Sequence, residues 1–285
     1  MRPKSRLRNS MSRFNFNLMS EDPIAKFKEM QRQGWKHFAP LEGLTTPAAA
    51  RLVKFAGVRA GQNVLDVGCG TGVVAITAAR TGARVHGVDL TPELLERARE
   101  NASIAKFEID FREGDAEALP FDDGRFDVVL SQFGHMFAPR PSVAIAEMLR
   151  VLKPGGTIAF ATWPPELLIG ASFKLVSSYM PPPPPGVSPP PQWGDVAIVR
   201  ERLGSGVKDI LFDRACMFFP ALSVQNYRDH IERTAGPMLK LVEMLSATDP
   251  SRLAQFRRDY DALIAPYFED NIVRQDYLMT RAIKV

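Results

Sequence analysis

The fold of this 285-residue chain is most constrained by one stretch of sequence, in which a short apolar strand is followed directly by a glycine loop and an alanine-rich helix. Residues 63–72 read NVLDVGCGTG, and residues 73–80 read VVAITAAR. The β-branched run at 64–67 is typical of a strand buried in a parallel sheet. The glycines that follow allow a ligand to lie against bare backbone at the amide-rich start of a helix. This order predicts a ligand site built by strand, loop and helix.

The spacing of the glycines separates this loop from a dinucleotide site. Gly68, Gly70 and Gly72 follow G-x-G-x-G, whereas the dinucleotide fingerprint is G-x-G-x-x-G. Asp66 lies two residues before the first glycine, where its charge would repel a pyrophosphate. A second predicted strand ends in Asp89, at a position where an acid accepts hydrogen bonds from both ribose hydroxyls. The pattern predicts an unphosphorylated adenosine with a positive charge, which describes S-adenosylmethionine.

Four motifs resemble those of the class I S-adenosylmethionine-dependent methyltransferases, in the branch that includes the ubiquinone and menaquinone methyltransferases. They are VLDVGCGTG at 64–72, VHGVDLTPELLERAR at 85–99, EGDAEALPFDDGRFDVVLS at 113–131 and EMLRVLKPGGTIAF at 147–160. The resemblance covers about residues 45–163. It implies a doubly wound, Rossmann-like α/β fold whose seven-stranded, mostly parallel sheet has the order 3-2-1-4-5-7-6, with an added helical lid. It also implies S-adenosyl-L-methionine as cofactor and no metal.

The resemblance assigns cofactor contacts to residues within these motifs. Asp115 would accept a hydrogen bond from the adenine amino group, and Ala116 would pack on the ring; the alternative for Asp115 is a plain turn carboxylate. The predicted cofactor-binding residues are Asp66, Gly68, Cys69, Gly70, Gly72, Asp89, Leu90, Asp115, Ala116, Ser131 and Gln132.

The loop after the fourth predicted strand, residues 132–138, is expected beside the transferable methyl group. In an open α/β sheet, ligands bind outside the carboxyl ends of the strands where the strand order reverses. His135 is the candidate base there, because an unperturbed pKa of about 6.5 suits proton removal from an acceptor. The alternative is a histidine that only shapes the pocket or turns to solvent.

An apolar and aromatic pocket is predicted for the acceptor, which favours a small or lipophilic organic molecule. Its predicted lining residues are Trp35, Phe38, Phe133, Met136, Phe137, Trp163 and Tyr179. Trp35 and Phe38 follow a predicted helix that begins at Asp22 and Pro23, and they either lie over the cofactor or simply pack on the core. Whether carbon, oxygen or nitrogen is methylated does not follow from the residues.

Composition excludes several other classes of site. The chain has two cysteines, Cys69 and Cys216, and no C-x-x-C or His/Cys cluster, so neither a disulfide framework nor a zinc site is supported. No apolar run approaches the roughly 20 residues that span a bilayer. A chain of this length that is 45% hydrophobic can bury one large core, or one core plus a lid.

The positive charge of the chain is concentrated in residues 1–20, which contain five basic residues and no acid. The whole chain has a formal charge of +4, so the remaining residues carry 4 minus 5, or −1, and nucleic acid is not favoured as a partner. The basic segment is interpreted as a disordered leader or an organelle transit peptide, with Met11 or Met19 as alternative starts. The expected location is the cytoplasm, or an organelle matrix if residues 1–20 are a transit peptide.

The predicted organisation has five parts. They are a basic tail at 1–20, N-terminal helices that form a lid at 21–56, the cofactor-binding core at 57–163, a helical, proline-rich insertion at 164–205, and residues 206–285, which complete the sheet with a further helical insertion. Strands three, five, six and seven are predicted at 107–111, 157–162, 210–219 and 277–283. Eight prolines within residues 181–191 predict a stiff arm, a surface loop or a partner-docking segment.

Two rival functions remain for this chain. One is methyl transfer to RNA or protein, and the other is a non-catalytic S-adenosylmethionine-binding scaffold or regulatory subunit.

Overall fold

One mixed β-sheet covered by helices organises residues 22–285, the part of the chain that the computed structural model describes. The strands are β1 (Asn63–Val67), β2 (Arg84–Asp89), β3 (Asp110–Glu113), β4 (Phe126–Gln132), β5 (Leu152–Thr162), β6 (Val207–Pro220), β7 (Phe268–Glu269) and β8 (Ile272–Lys284). Their order is β3-β2-β1-β4-β5-β8-β6, with the two-residue β7 paired to β8. The first five strands are parallel, and β8 runs antiparallel to both β5 and β6. The predicted fold class is therefore confirmed, with β8 as the predicted seventh strand. The predictions for residues 1–20 lie outside the described residues.

Ten α-helices surround this sheet within the described range. They are α1 (Pro23–Trp35), α2 (Glu42–Ala56), α3 (Val73–Ala79), α4 (Pro92–Ala105), α5 (Pro141–Val151), α6 (Leu168–Tyr179), α7 (Val196–Leu203), α8 (Val224–Thr234), α9 (Gly236–Thr248) and α10 (Pro250–Ile264). Helices α2, α3 and α4 contact one another, and α5 contacts α7, while both groups pack on the parallel strands. Asp22, Asp195 and Ser223 cap the starts of α1, α7 and α8 with their side chains.

Several strand starts differ from the prediction, and those of β3 and β5 have local reasons. Strands β6 and β8 begin at Val207 and Ile272, before the predicted starts at 210 and 277. The third strand was expected at 107–111, but the amide of Phe107 donates to the carbonyl of Ala102 and closes the end of α4, so β3 begins at Asp110. The fifth strand was expected at 157, but Leu152 already pairs with Phe126. The Pro-Gly-Gly segment after Lys153 therefore forms an irregular part of β5 rather than a loop before it, with Gly155 in the left-handed region at φ 74°.

The strands β6 and β8 extend well beyond the carboxyl edge of the parallel strands. The last pair between β5 and β8 joins Thr162 to Leu278, whereas β6 and β8 continue pairing to Ile272. Residues 272–277 of β8, paired with β6, therefore lie beyond the end of β5 and form an antiparallel overhang, which at about 3.4 Å per residue is about 20 Å long. Helices α6, α8, α9 and α10 pack around it and enclose a second hydrophobic core, separate from the main core around β1, β4 and β5.

The proline-rich segment is anchored at its C-terminal end. The amide of Ser188 donates to the carbonyl of Pro139, and Arg202 donates to both Ser188 Oγ and Gln192 Oε1. Trp193 is fully buried, with the guanidinium of Arg202 4.6 Å from its ring centre. This part of the segment is therefore held against the loop that follows β4.

Candidate functional site

The glycine loop after β1 is fixed by its neighbours at the carboxyl edge of the sheet. Gly70 N donates to Asp89 Oδ2 at 2.8 Å, and Thr91 N donates to Asp89 Oδ1 at 2.9 Å. Gly68 has a φ of 65°, and a Cβ built on it would lie 2.8 Å from the Cα of Gly134. A side chain at this position would therefore clash with backbone as well as strain the turn. A Cβ built on Gly70, by contrast, meets nothing within 4 Å, so the space beside the loop is open.

Asp66 lies behind this loop rather than on its open side. It is 1% exposed, and its Oδ2 accepts a hydrogen bond from the amide of Ala75 at 3.1 Å, in the first turn of α3. Its Oδ1 has no hydrogen-bond partner among the described residues. Burial raises the pKa of Asp66 to about 8, and the nearby charge of Asp89 adds to the rise. The residue therefore fixes the start of α3 as a largely uncharged acid near neutral pH.

A cavity of about 260 Å³ begins at the open side of the glycine loop and continues between the two hydrophobic cores. Most of the predicted site residues line it. These are Trp35, Phe38, Gly68, Gly70, Asp89, Leu90, Asp115, Ala116, Gln132, Phe133, Phe137 and Trp163. The structure thus brings the predicted cofactor loop and the predicted aromatic lining to one continuous space.

Seven predicted site residues do not line this cavity. They are Asp66, Cys69, Gly72, Ser131, His135, Met136 and Tyr179. Ser131 instead donates from Oγ to the carbonyl of Val67 at 2.6 Å and accepts from the amide of His135 at 3.0 Å, so it ties β4 to β1. Cys69 and Met136 are buried in the main core, and the hydroxyl of Tyr179 donates to Asp259.

The geometry does not favour the predicted role of His135 as a base. Its ring is 1% exposed and packs against Phe160 and Trp193, with ring centres 4.6 and 4.7 Å away. Neither ring nitrogen has a hydrogen-bond partner in the described part of the chain. Burial, aided by the charge of Arg202, lowers the pKa of His135 to about 3. The histidine is therefore an uncharged part of the core, and the alternative that it only shapes the site is favoured.

Helix α1 closes the cavity beside Asp115. Lys28 Nζ lies 2.5 Å from Asp115 Oδ2 and 2.6 Å from Glu117 Oε2. Glu117 is buried and also accepts from the amide and guanidinium of Arg140. Gln31 Nε2 donates to the carbonyl of Phe137 at 3.2 Å. These contacts attach α1 to the edge of the site, and sequence reasoning missed Lys28 and Gln31 because their partners lie about a hundred residues away.

Besides the charged residues at its edge, the cavity has polar groups at two further positions among its aromatic and aliphatic lining. Near the glycine loop, Gln132 Nε2 donates to the carbonyl of Thr45 at 2.9 Å, while its Oε1 has no partner within residues 22–285. Beside it, the rings of Phe133 and Trp163 stack with centres 3.9 Å apart. A second polar group, which sequence reasoning also missed, consists of Ser172, Tyr227, Tyr260 and Gln275.

Two structural features are absent from residues 22–285. No group of three or more His, Cys, Asp or Glu side chains in this range is arranged to hold a metal ion. No helix in the same range combines the length and the apolar character needed to cross a bilayer.

Comparison with known proteins gives consistent similarities. A family model described as a methyltransferase domain matches residues 65–160. An uncharacterised protein of Mycobacterium tuberculosis is 36% identical over 257 residues, which cover 89% of this chain and 93% of the relative. The demethylmenaquinone methyltransferase of Deinococcus radiodurans is 34% identical over 154 residues, covering 53% of this chain and 58% of that protein.

Among solved structures, a putative methyltransferase from Bacillus halodurans has a similar fold. The TM-score is 0.56 at 21% identity, and the match covers 83% of this chain and 98% of the other. At this identity the similarity concerns the fold alone.

Proposed function

Because the chain belongs to the class I S-adenosylmethionine-dependent methyltransferases, we propose that it transfers a methyl group to a small, lipophilic organic acceptor held in the cavity. Its cofactor is S-adenosylmethionine, whose sulfonium supplies the methyl group and the leaving group when bound. The observation that carries the proposal is the continuous cavity, which joins Gly68 and Asp89 to an aromatic lining.

The residues around the glycine loop fit an adenosine bearing a positive charge. The amides of Gly70 and Thr91 donate to different oxygens of Asp89, and the carboxylate borders the cavity, where it can also accept hydrogen bonds from ribose hydroxyls. Leu90 and Ala116 supply apolar surface for a ring, and Asp115 adjoins them. Within residues 22–285, the two basic side chains that line the cavity are already paired with acids, Lys28 with Asp115 and Glu117 and Arg32 with Glu29, so neither is free to bind a phosphate. We therefore propose Gly68, Gly70, Asp89, Leu90, Asp115 and Ala116 as the cofactor contacts.

The aromatic part of the cavity supports a lipophilic acceptor. Trp35 and Phe137 lie with ring centres 4.6 Å apart, and the stacked pair of Phe133 and Trp163 forms another side of the lining. Displacement at a methyl group requires mainly that the acceptor be aligned and that water be excluded, and rigid aromatic walls serve both purposes. The partial similarity to a demethylmenaquinone methyltransferase, which covers 53% of this chain, is compatible with a ring-shaped acceptor.

The ionisable side chains of the cavity do not supply an obvious base. Lys28 is paired with Asp115, Arg32 is paired with an acid on the same helix, and Asp89 is held by backbone amides. His135 is outside the cavity lining. We therefore propose an acceptor that is nucleophilic without proton removal by a histidine, with Gln132 Oε1 as the polar group that orients it beside the glycine loop.

The test is calorimetric titration of the natural protein and of Asp89→Asn with S-adenosylmethionine and S-adenosylhomocysteine. The variant replaces one hydrogen-bond acceptor by a donor, so we expect its affinity to fall at least about tenfold. Asp122→Asn is the matched control, because Asp122 is an exposed acid beside a turn and lies outside the cavity lining. Equal binding by the natural protein and Asp89→Asn would contradict the assigned cofactor position. Methyl transfer is then assayed with labelled cofactor on a panel of quinols, phenols and amines.

A further inference from the structure

We propose that Ser172, Tyr227, Tyr260 and Gln275, here called the distal cluster, recognise an uncharged hydroxyl group of the acceptor at the end opposite to the methylated atom. The inference rests on the proposed function, because it assumes that the acceptor occupies the same cavity as the cofactor. The distal cluster belongs to the cavity lining, yet it lies in the second hydrophobic core rather than beside the glycine loop.

The position of the distal cluster follows from the overhang of β6 and β8. Leu278 is the last residue of β8 that pairs with β5, and Gln275 lies three residues beyond it in the overhang. There Gln275 pairs with Met217 of β6. At about 3.4 Å per residue, it lies about 10 Å beyond the carboxyl edge of the parallel strands. Tyr227 of α8 accepts a hydrogen bond from Gln275 there, and Tyr260 of α10 lies within hydrogen-bonding reach of Tyr227. An acceptor that reaches the distal cluster from the glycine loop is therefore elongated.

The hydrogen bonds within the distal cluster leave an acceptor atom for a ligand. Gln275 Nε2 donates to the hydroxyl of Tyr227 at 2.9 Å, and the hydroxyl of Tyr260 lies within hydrogen-bonding reach of Tyr227 and Ser172. Ser172 Oγ donates to the carbonyl of Leu168 at 2.7 Å. No described residue donates to Gln275 Oε1, although Gln275 is only 3% exposed and borders the cavity. A ligand hydroxyl in the cavity could donate to this oxygen and complete the hydrogen bonds of the Gln275 amide.

The electrostatic surroundings favour an uncharged ligand group. The nearest carboxylates, Glu232 and Asp261, are already paired with Arg257 and Arg228. Burial raises the pKa of Tyr260 to about 12, so its hydroxyl remains protonated at physiological pH. The distal cluster therefore presents neither a free cation for a carboxylate or phosphate nor a free anion for an ammonium group.

The wall between the two ends of the cavity is apolar. It includes Ile169, Phe173, Val176, Met217 and Met238. An apolar wall contributes affinity without direction, whereas a few buried polar groups fix the orientation of a ligand. We therefore infer that the distal cluster selects which end of the acceptor approaches the methyl group.

The test measures binding of 2-naphthol, naphthalene and 2-naphthoate to the protein saturated with S-adenosylhomocysteine, by equilibrium dialysis. The natural protein is expected to bind 2-naphthol roughly three- to tenfold more tightly than naphthalene, as one neutral hydrogen bond would give. Gln275→Met and Tyr260→Phe should reduce this preference to about unity while changing naphthalene binding less than about twofold. Tyr179→Phe is the matched control, because it also removes a tyrosine hydroxyl from the second core but lies outside the cavity lining.

The outcomes separate the distal cluster from the proposed function. A preference for 2-naphthol that persists in both Gln275→Met and Tyr260→Phe overturns the assignment. For the natural protein, three results would also overturn it: equal binding of 2-naphthol and naphthalene, tighter binding of 2-naphthoate than of 2-naphthol, or no binding of any of the three compounds. Circular dichroism checks that each variant is folded, and if one is not, the other decides. Failure to bind S-adenosylhomocysteine contradicts the proposed function instead, and the same ring titrations without cofactor still test the distal cluster.

Discussion

Replacing Asp66 by asparagine should stabilise the protein increasingly as the pH rises. Asp66 is 1% exposed, and burial raises its pKa in the folded protein to about 8. An aspartate in the unfolded chain has a pKa of about 3.9. Between these values the folded state retains a proton that the unfolded state has lost. The stability that this group contributes is therefore complete below about pH 4 and is lost progressively as the pH rises towards 8.

The size of the effect follows from proton linkage. One proton of difference between the folded and unfolded states changes the free energy of unfolding by about 1.4 kcal/mol per pH unit. The natural protein should therefore lose about 3 kcal/mol from this group between pH 5 and pH 7. The asparagine amide can accept the same hydrogen bond from Ala75, and it does not ionise, so its contribution should be constant over that interval.

The assay is urea denaturation of both proteins at pH 5, 6, 7 and 8, with the difference in unfolding free energy plotted against pH. Glu147→Gln is the matched control. Hydrogen bonding to Arg150 lowers the pKa of Glu147 in the folded protein below its ordinary value of 4.5, so its contribution is complete above that value and is lost only at lower pH. The control difference should be flat from pH 5 to 8. A flat difference for Asp66→Asn as well would refute the reasoning about burial.

Two further predictions concern His135 and helix α1. His135→Leu should leave turnover in a methyl-transfer assay within about threefold of the natural value, because the ring of His135 lies in the core. Loss of a general base would lower turnover by about 10²-fold or more. A larger loss than threefold by a stably folded variant would therefore support a catalytic role. Gly236→Ala should loosen α1, because the new Cβ would lie 2.9 Å from the backbone carbon of Gly34, and such overpacking costs about 1–3 kcal/mol. Limited trypsin digestion should then cut α1 faster, whereas Gly43→Ala, whose Cβ meets nothing within 4 Å, should digest like the natural protein.

The parts of the fold and site that depend on local sequence were predictable. The apolar run at 64–67, the glycines after it and Asp89 at the end of the next strand specify backbone conformation and strand edge within a few residues. Parallel strands place their carboxyl ends at one edge, so these residues were expected to meet, and Gly68, Gly70 and Asp89 do line one cavity. The contact of a cofactor with these residues stays a prediction.

The parts that depend on distant contacts were not predictable from one sequence. His135 lies in the expected loop, but its ring turns towards Phe160 and Trp193, and only the docked proline-rich segment brings Trp193 there. Lys28 meets Asp115 across 87 residues. Gln275 meets Tyr227 across 48 residues, and no periodicity in either segment indicates this pairing.

The overhang of β6 and β8 also has a consequence for local unfolding. Helices α8, α9 and α10 contact one another and the second core, so they can open together without breaking any pair of parallel strands. Their amide hydrogens are therefore expected to exchange with solvent as one cooperative unit, at a lower free energy than those of β1 and β4. Since the cavity borders both cores, an acceptor bound in it would slow exchange throughout these helices, and amide exchange would report occupancy without any turnover.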